Sequence, residues 1–121
     1  MKILLVDDEP VHLRLMEATI RHWGYEVTTA TDGQAAWEIL QRDGAPSLVV
    51  TDWAMPGLDG FELTRRIRDD DALASTPVLI VTVRAATVTS DSRPDQANEY
   101  LVKPWNPREL RSAITRLTEA A

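Results

Sequence analysis

The chain contains no cysteine, which excludes disulfides, thiolate zinc sites and cysteine nucleophiles. Histidine is almost as scarce. Its two copies, His12 and His22, stand ten residues apart in one helical stretch, which is poor spacing for a metal pair, and both read as members of a solvated helix face. No apolar run approaches the roughly 18 residues that span a bilayer. Ile3 to Val6 is too short for the core of a signal peptide, and acids follow it at once. None of the five glycines forms a Gly-rich loop after that first run, so a flavin or nucleotide phosphate cradle has no support. Basic residues are the minority, 13 against 19 acidic, and the net charge of −6 argues against a nucleic-acid grip. Arg65, Arg66 and Arg68 do cluster, but Asp69, Asp70 and Asp71 follow directly, and the group reads as the solvated end of an amphipathic helix. The expectation is one soluble, cytoplasmic domain over residues 1–121 that engages neither membrane nor nucleic acid.

What the chain does have is alternation. Short apolar runs occur at Ile3–Val6, Val27–Ala30, Leu48–Val50, Val78–Val81 and Tyr100–Val102. Their length and their β-branched and Leu content predict buried parallel strands, with Thr28 and Thr29 marking the second as more exposed. Helical patterns lie between them. Val11 to Trp23 is read with Leu15, Ile20 and Trp23 facing inward and Gly24 closing the helix. Asp32 is suited to cap a helix over about Gln34 to Arg42, with Ala36, Ile39 and Leu40 inward and Gly44 after it. Phe61 to Arg68 presents Phe61, Leu63 and Ile67, while Pro107 opens a last helix carrying Leu110, Ile114 and Leu117. Five strands alternating with helices imply right-handed crossovers and a doubly wound α/β sheet. One stretch breaks the pattern: residues 84–98 are Thr- and Ser-rich, carry Pro94 and lack an apolar stripe, which predicts a short or irregular fourth helix.

In such folds ligands gather beyond the carboxyl ends of the strands. There the sequence places Asp7-Asp8-Glu9 after strand one, Asp52 at the end of strand three, Thr82 at the end of strand four and Lys103-Pro104 after strand five. Converging carboxylates repel one another unless a cation joins them. An all-oxygen set suits Mg²⁺, which keeps several waters and attracts phosphate oxygens. With a hydroxyl at Thr82 and an ammonium at Lys103, the parts are those of a phosphoryl-transfer site with Asp52 as nucleophile. No element is specific alone; their joint occurrence at four strand ends is.

On these residues the chain resembles the response-regulator receiver family over its whole length. The matching segments are ILLVDDEP, LVVTDWAMPGLDGFEL around Asp52, PVLIVT ending in Thr82, and YLVKPWNPREL around Lys103. The resemblance implies a flavodoxin-like five-stranded sheet in the order 2-1-3-4-5, with Asp52 as phosphoacceptor. It also implies Mg²⁺ held by Asp8, Asp52 and the Ala54 backbone carbonyl, with Asp7 acting largely through water. Lys103 would pair with Asp52 and then with the phosphoryl oxygens, Thr82 would bond the phosphoryl group, and Tyr100 would turn inward as the switch aromatic. Met55 and Pro56 would shape the loop after Asp52, with Gly57 and Gly60 allowing its turns. Trp53 and Trp105 read as wall and surface packing. The implied partner is a sensor histidine kinase or phosphotransfer protein, with an output domain attached or separate. Such a domain modifies itself and is better called a switch than an enzyme, its output passing through the fourth helix, fifth strand and last helix.

Three departures stand against the family pattern. Val83 is bulkier than the usual residue after the Thr, Gln96-Ala97-Asn98-Glu99 replaces the usual turn before strand five, and the fourth helix is irregular. Arg84 and Ala54 fill variable positions beside the site. These features leave open a receiver-like interaction module that works without phosphorylation, although such a module has no need of so repulsive a cluster. A phosphatase with an Asp nucleophile would want a second acid two residues on, where Ala54 stands.

Overall fold

The apolar runs become one sheet whose three inner strands are covered on both faces. In the computed structural model, which describes residues 1–53, 55–82 and 97–119, β1 (Lys2–Val6), β2 (Glu26–Ala30), β3 (Leu48–Asp52), β4 (Val78–Thr82) and β5 (Glu99–Val102) pair in parallel in the order β2-β1-β3-β4-β5. Alternate residues of a strand face opposite ways, and β1 divides accordingly. Ile3 and Leu5 point to a core shared with α1 (Pro10–His22) and α4 (Pro107–Glu119). Leu4 and Val6 point to a second core under α2 (Gly33–Asp43) and α3 (Gly60–Asp69). The edge strand β2 exposes Thr28, as its weaker apolar pattern predicts. Among the described residues no helix is long and apolar enough to cross a membrane.

The helix boundaries follow local chemistry. Pro10 occupies the first turn of α1 behind the Glu9 cap, Asp32 caps α2 by accepting from the Ala35 amide at 2.7 Å, and Asp59 caps α3 through the Glu62 amide at 2.8 Å. Two expectations for helix faces need correction. Leu15 is 56% exposed, because Leu13, Met16 and Ile20 form the inward stripe of α1 and Leu15 lies off it. Arg68 is half-buried and held rather than freely solvated. Its guanidinium donates to the carbonyls of Ala74 (3.2 Å) and Thr76 (2.6 Å) and to Asn98 Oδ1 (2.8 Å), and burial lowers its pKa. Asn98 Oδ1 also accepts from the Val78 amide at 2.8 Å, so the departure before β5 still ties the starts of β4 and β5 together. The irregular helix expected at residues 84–98 falls almost entirely outside the described residues, as do Val83 and Arg84.

Candidate functional site

Strand register assembles the cleft. Val6 lies opposite Thr51, so Asp7 and Asp52 continue the pair, while Thr82 faces Val102 and brings Lys103 to the same edge. This is also where strand order reverses between β1 and β3, the place such folds hold ligands. Asp7, Asp8 and Asp52 each offer one carboxylate oxygen, and these oxygens all lie within 4.8 Å of one another. Asp7 is buried, Asp52 half-buried and Asp8 exposed, so the cluster opens to solvent on the Asp8 side. Within it the Asp7 carboxylate is oriented by the Glu9 amide, which donates to Oδ1 at 2.9 Å.

Lys103 closes the other wall. Its ammonium sits 3.2 Å from Asp52 Oδ2 and 3.6 Å from Asp7 Oδ2, with the side chain only 8% exposed. The Lys103 amide is fixed by donating to the Thr82 carbonyl at 2.7 Å. Burial pushes the Asp52 carboxyl above the ordinary carboxylate value, and Asp7 adds to that push. The charge and hydrogen bond of Lys103 pull the other way without cancelling it. Thr82 is buried at the end of β4, one residue beyond the partner of Asp52. One cation against three acids leaves net negative charge, and a hard divalent ion fits a donor set made only of oxygens.

The loop after Asp52 is shaped by close packing. Gly57 has a φ of +74°, the left-handed conformation a turn there needs. Gly60 needs space instead: a Cβ there would overlap the Asp52 carbonyl oxygen, and its amide donates to the Trp53 carbonyl at 2.9 Å. Trp53 meets Phe61 edge-on at 5.9 Å and Tyr100 at 6.2 Å, so Phe61 packs on this aromatic wall and is only half-buried. The Tyr100 hydroxyl is already buried. Trp105 packs half-buried against the α1–α4 core. The Ala54 carbonyl lies outside the described residues.

One residue belongs to this place that spacing alone did not reveal. His12, in the first turn of α1, puts Nδ1 3.4 Å from the Lys103 ammonium and 4.0 Å from Asp7 Oδ2, so it is not merely part of a solvated face. The signal was present: one turn beyond Asp8, a side chain returns toward the strand end.

Comparison with known proteins agrees with this arrangement. The model of the response regulator receiver domain matches residues 3–115. The chemotaxis protein CheY1 of Helicobacter pylori is 32% identical over 118 residues, covering 94% of this chain and 94% of its own. The response regulator PleD of Caulobacter vibrioides is 35% identical across 97% of this chain, which corresponds to 26% of PleD. Among solved structures, the receiver domain of the sensor histidine kinase PA1611 from Pseudomonas aeruginosa superposes with a TM-score of 0.89 at 32% identity, covering 98% of this chain and 97% of that one; it holds a magnesium ion in its active site cleft. Fold, order of strands and match along nearly the whole length agree: the chain belongs to the response regulator receiver domain family of two-component signalling.

Proposed function

We propose that this receiver domain is a phosphorylation switch in which Asp52 takes a phosphoryl group from the phosphohistidine of a sensor histidine kinase or phosphotransfer protein. The observation that carries this reading is the contact of the buried Lys103 ammonium with Asp52 Oδ2 at 3.2 Å, inside a cluster of three carboxylates. In the step, an Asp52 carboxylate oxygen attacks phosphorus, the bond from phosphorus to imidazole nitrogen breaks, and the imidazole leaves to take up a proton. The product is an acyl phosphate on Asp52. Asp7, Asp8 and Asp52, with the Ala54 carbonyl, would hold Mg²⁺, which when bound neutralises the acids and the incoming phosphoryl oxygens. Lys103 follows the charge from the carboxylate to a phosphoryl oxygen. Thr82 donates its hydroxyl to another.

The group added to Asp52 carries about −1.5 to −2 charges, enough to bias a two-state element. Movement of Thr82 toward it and repacking of Tyr100 against Trp53 would pass the change to the face of β5 and α4 and the segment between β4 and β5. The domain turns over no separate substrate, so it acts as a self-modifying switch with its output in a partner or attached domain. A cytoplasmic location goes with this reading, since phosphohistidine is made from ATP. The test is intact mass after incubation with acetyl phosphate and Mg²⁺. Gain of one phosphoryl group by the parent, absent with chelator and absent in Asp52→Asn, supports it. No gain by a folded parent refutes it and favours a module that works without phosphorylation.

A further inference from the structure

Lys103 has more partners than the phosphoryl chemistry requires. An ammonium carries three N–H donors and no acceptor. Here Nζ lies within hydrogen-bond reach of Asp52 Oδ2 at 3.2 Å and His12 Nδ1 at 3.4 Å, and forms an ion pair with Asp7 Oδ2 at 3.6 Å. A donor-only group at that distance requires Nδ1 to offer its lone pair, which places the ring proton on Nε2. His12 is anchored on α1, with its side chain 48% exposed, so it sits on the solvent side of an ammonium that is otherwise covered.

We propose that His12 is a positioning residue for phosphoryl transfer, its Nδ1 accepting from the Lys103 ammonium and seating it over the acidic cleft. This rests on Asp52 being the phosphoacceptor. The three holds on Lys103 respond differently to the reaction. Asp52 loses its carboxylate charge when it becomes an acyl phosphate. Asp7 shares its charge with whatever cation the cluster binds. His12 is not one of the clustered carboxylates, so its hold on Lys103 is not consumed when Asp52 is phosphorylated, and its anchor on α1 does not depend on β3. With His12 in place, Lys103 stays at the cleft as its carboxylate partners are engaged. Without it, the ammonium is free to follow solvent at the moment the phosphoryl oxygens need it.

The test compares parent, His12→Leu and His12→Asn. Leucine branches as histidine does but offers no acceptor, whereas the Oδ1 of asparagine lies the same number of bonds from Cα as Nδ1. With saturating Mg²⁺ and acetyl phosphate, His12→Leu should gain the phosphoryl group about threefold to tenfold more slowly, the worth of one hydrogen bond. His12→Asn should stay within about twofold of the parent. Thermal unfolding of all three accompanies the rates, and a purely structural role would leave Asn no better than Leu. A second arm needs neither phosphodonor nor metal: ¹⁵N spectra of the ring at mildly alkaline pH should show an unprotonated Nδ1 in the parent whose resonance shifts in Lys103→Met, as the accepted hydrogen bond is lost. Equal rates for parent and His12→Leu, or failure of Asn to rescue, overturns the positioning role. A protonated Nδ1 overturns the seat itself. A parent that gains no phosphoryl group, yet shows the Lys103-dependent shift of Nδ1, overturns the phosphoacceptor reading and the role in transfer while upholding the seat.

Discussion

Replacing Gly60 by Ala isolates what holds Asp52 in place. Gly60 begins α3, and Ala at a helical position is worth up to about 1 kcal/mol over Gly, so propensity alone favours the substitution. Packing opposes it. The added Cβ would overlap the Asp52 carbonyl oxygen and would crowd the Asp52 carbonyl carbon at 3.1 Å and Trp53 Cα at 3.2 Å. These are backbone atoms and cannot rotate aside, so overpacking should reach about 3 kcal/mol. The net loss is about 2 kcal/mol, or roughly 8 °C in midpoint for a domain of this size. Because the displaced atoms belong to Asp52 itself, the rate of phosphoryl gain should fall as well. Gly24→Ala is the control: its φ is +95° and nothing lies within 4 Å of the added carbon. It should cost only the left-handed backbone penalty, about 1 kcal/mol, and leave phosphorylation unchanged. Thermal unfolding by circular dichroism and intact mass read both effects. A Gly60→Ala protein unfolding within about 2 °C of the parent would refute the steric argument.

Other outcomes follow from the same contacts. Arg68→Ala removes donors to two loop carbonyls and to Asn98, and urea unfolding should register a loss of about 2 kcal/mol. Asn98→Ala combined with it should lose less than the sum of the two, since they share one hydrogen-bond network. Burial raises the Asp52 pKa above its unfolded value, so the protonated acid stabilises the fold at low pH and that contribution is lost as pH rises through the raised value. In chelator, Asp52→Asn should therefore be more stable than the parent at pH 7, with the difference shrinking toward pH 4; an equal difference at both would contradict the assignment. Mg²⁺ at about 100 times its dissociation constant should stabilise the parent by roughly 2.7 kcal/mol, and Asp8→Asn should need far more ion for the same rise in midpoint.

Much of this was legible in the sequence because strand ends carry both the fold signal and the chemistry. Asp7, Asp52, Thr82 and Lys103 each follow or finish an apolar run, and a parallel sheet must bring such positions to one edge. Less was legible where a side chain reaches sideways. Leu15 satisfied apolarity but not the helical stripe of Leu13, Met16 and Ile20. The role of Arg68 depends on loop carbonyls and on Asn98, 30 residues away, and no local spacing encodes them. Phe61 suited an inward helix face, yet Trp53 supplies it with a nearer partner. His12 lies 91 residues from Lys103, and only closure of the sheet brings them together.

The central claim is that Asp52 becomes an acyl phosphate, and reductive trapping tests it most directly. The parent, exposed to acetyl phosphate and Mg²⁺ and then treated with borohydride, should yield homoserine at position 52 in its peptide map and the unmodified acid at every other Asp and Glu. Homoserine at Asp7, Asp8 or elsewhere, or none at all in a folded protein, would contradict the account.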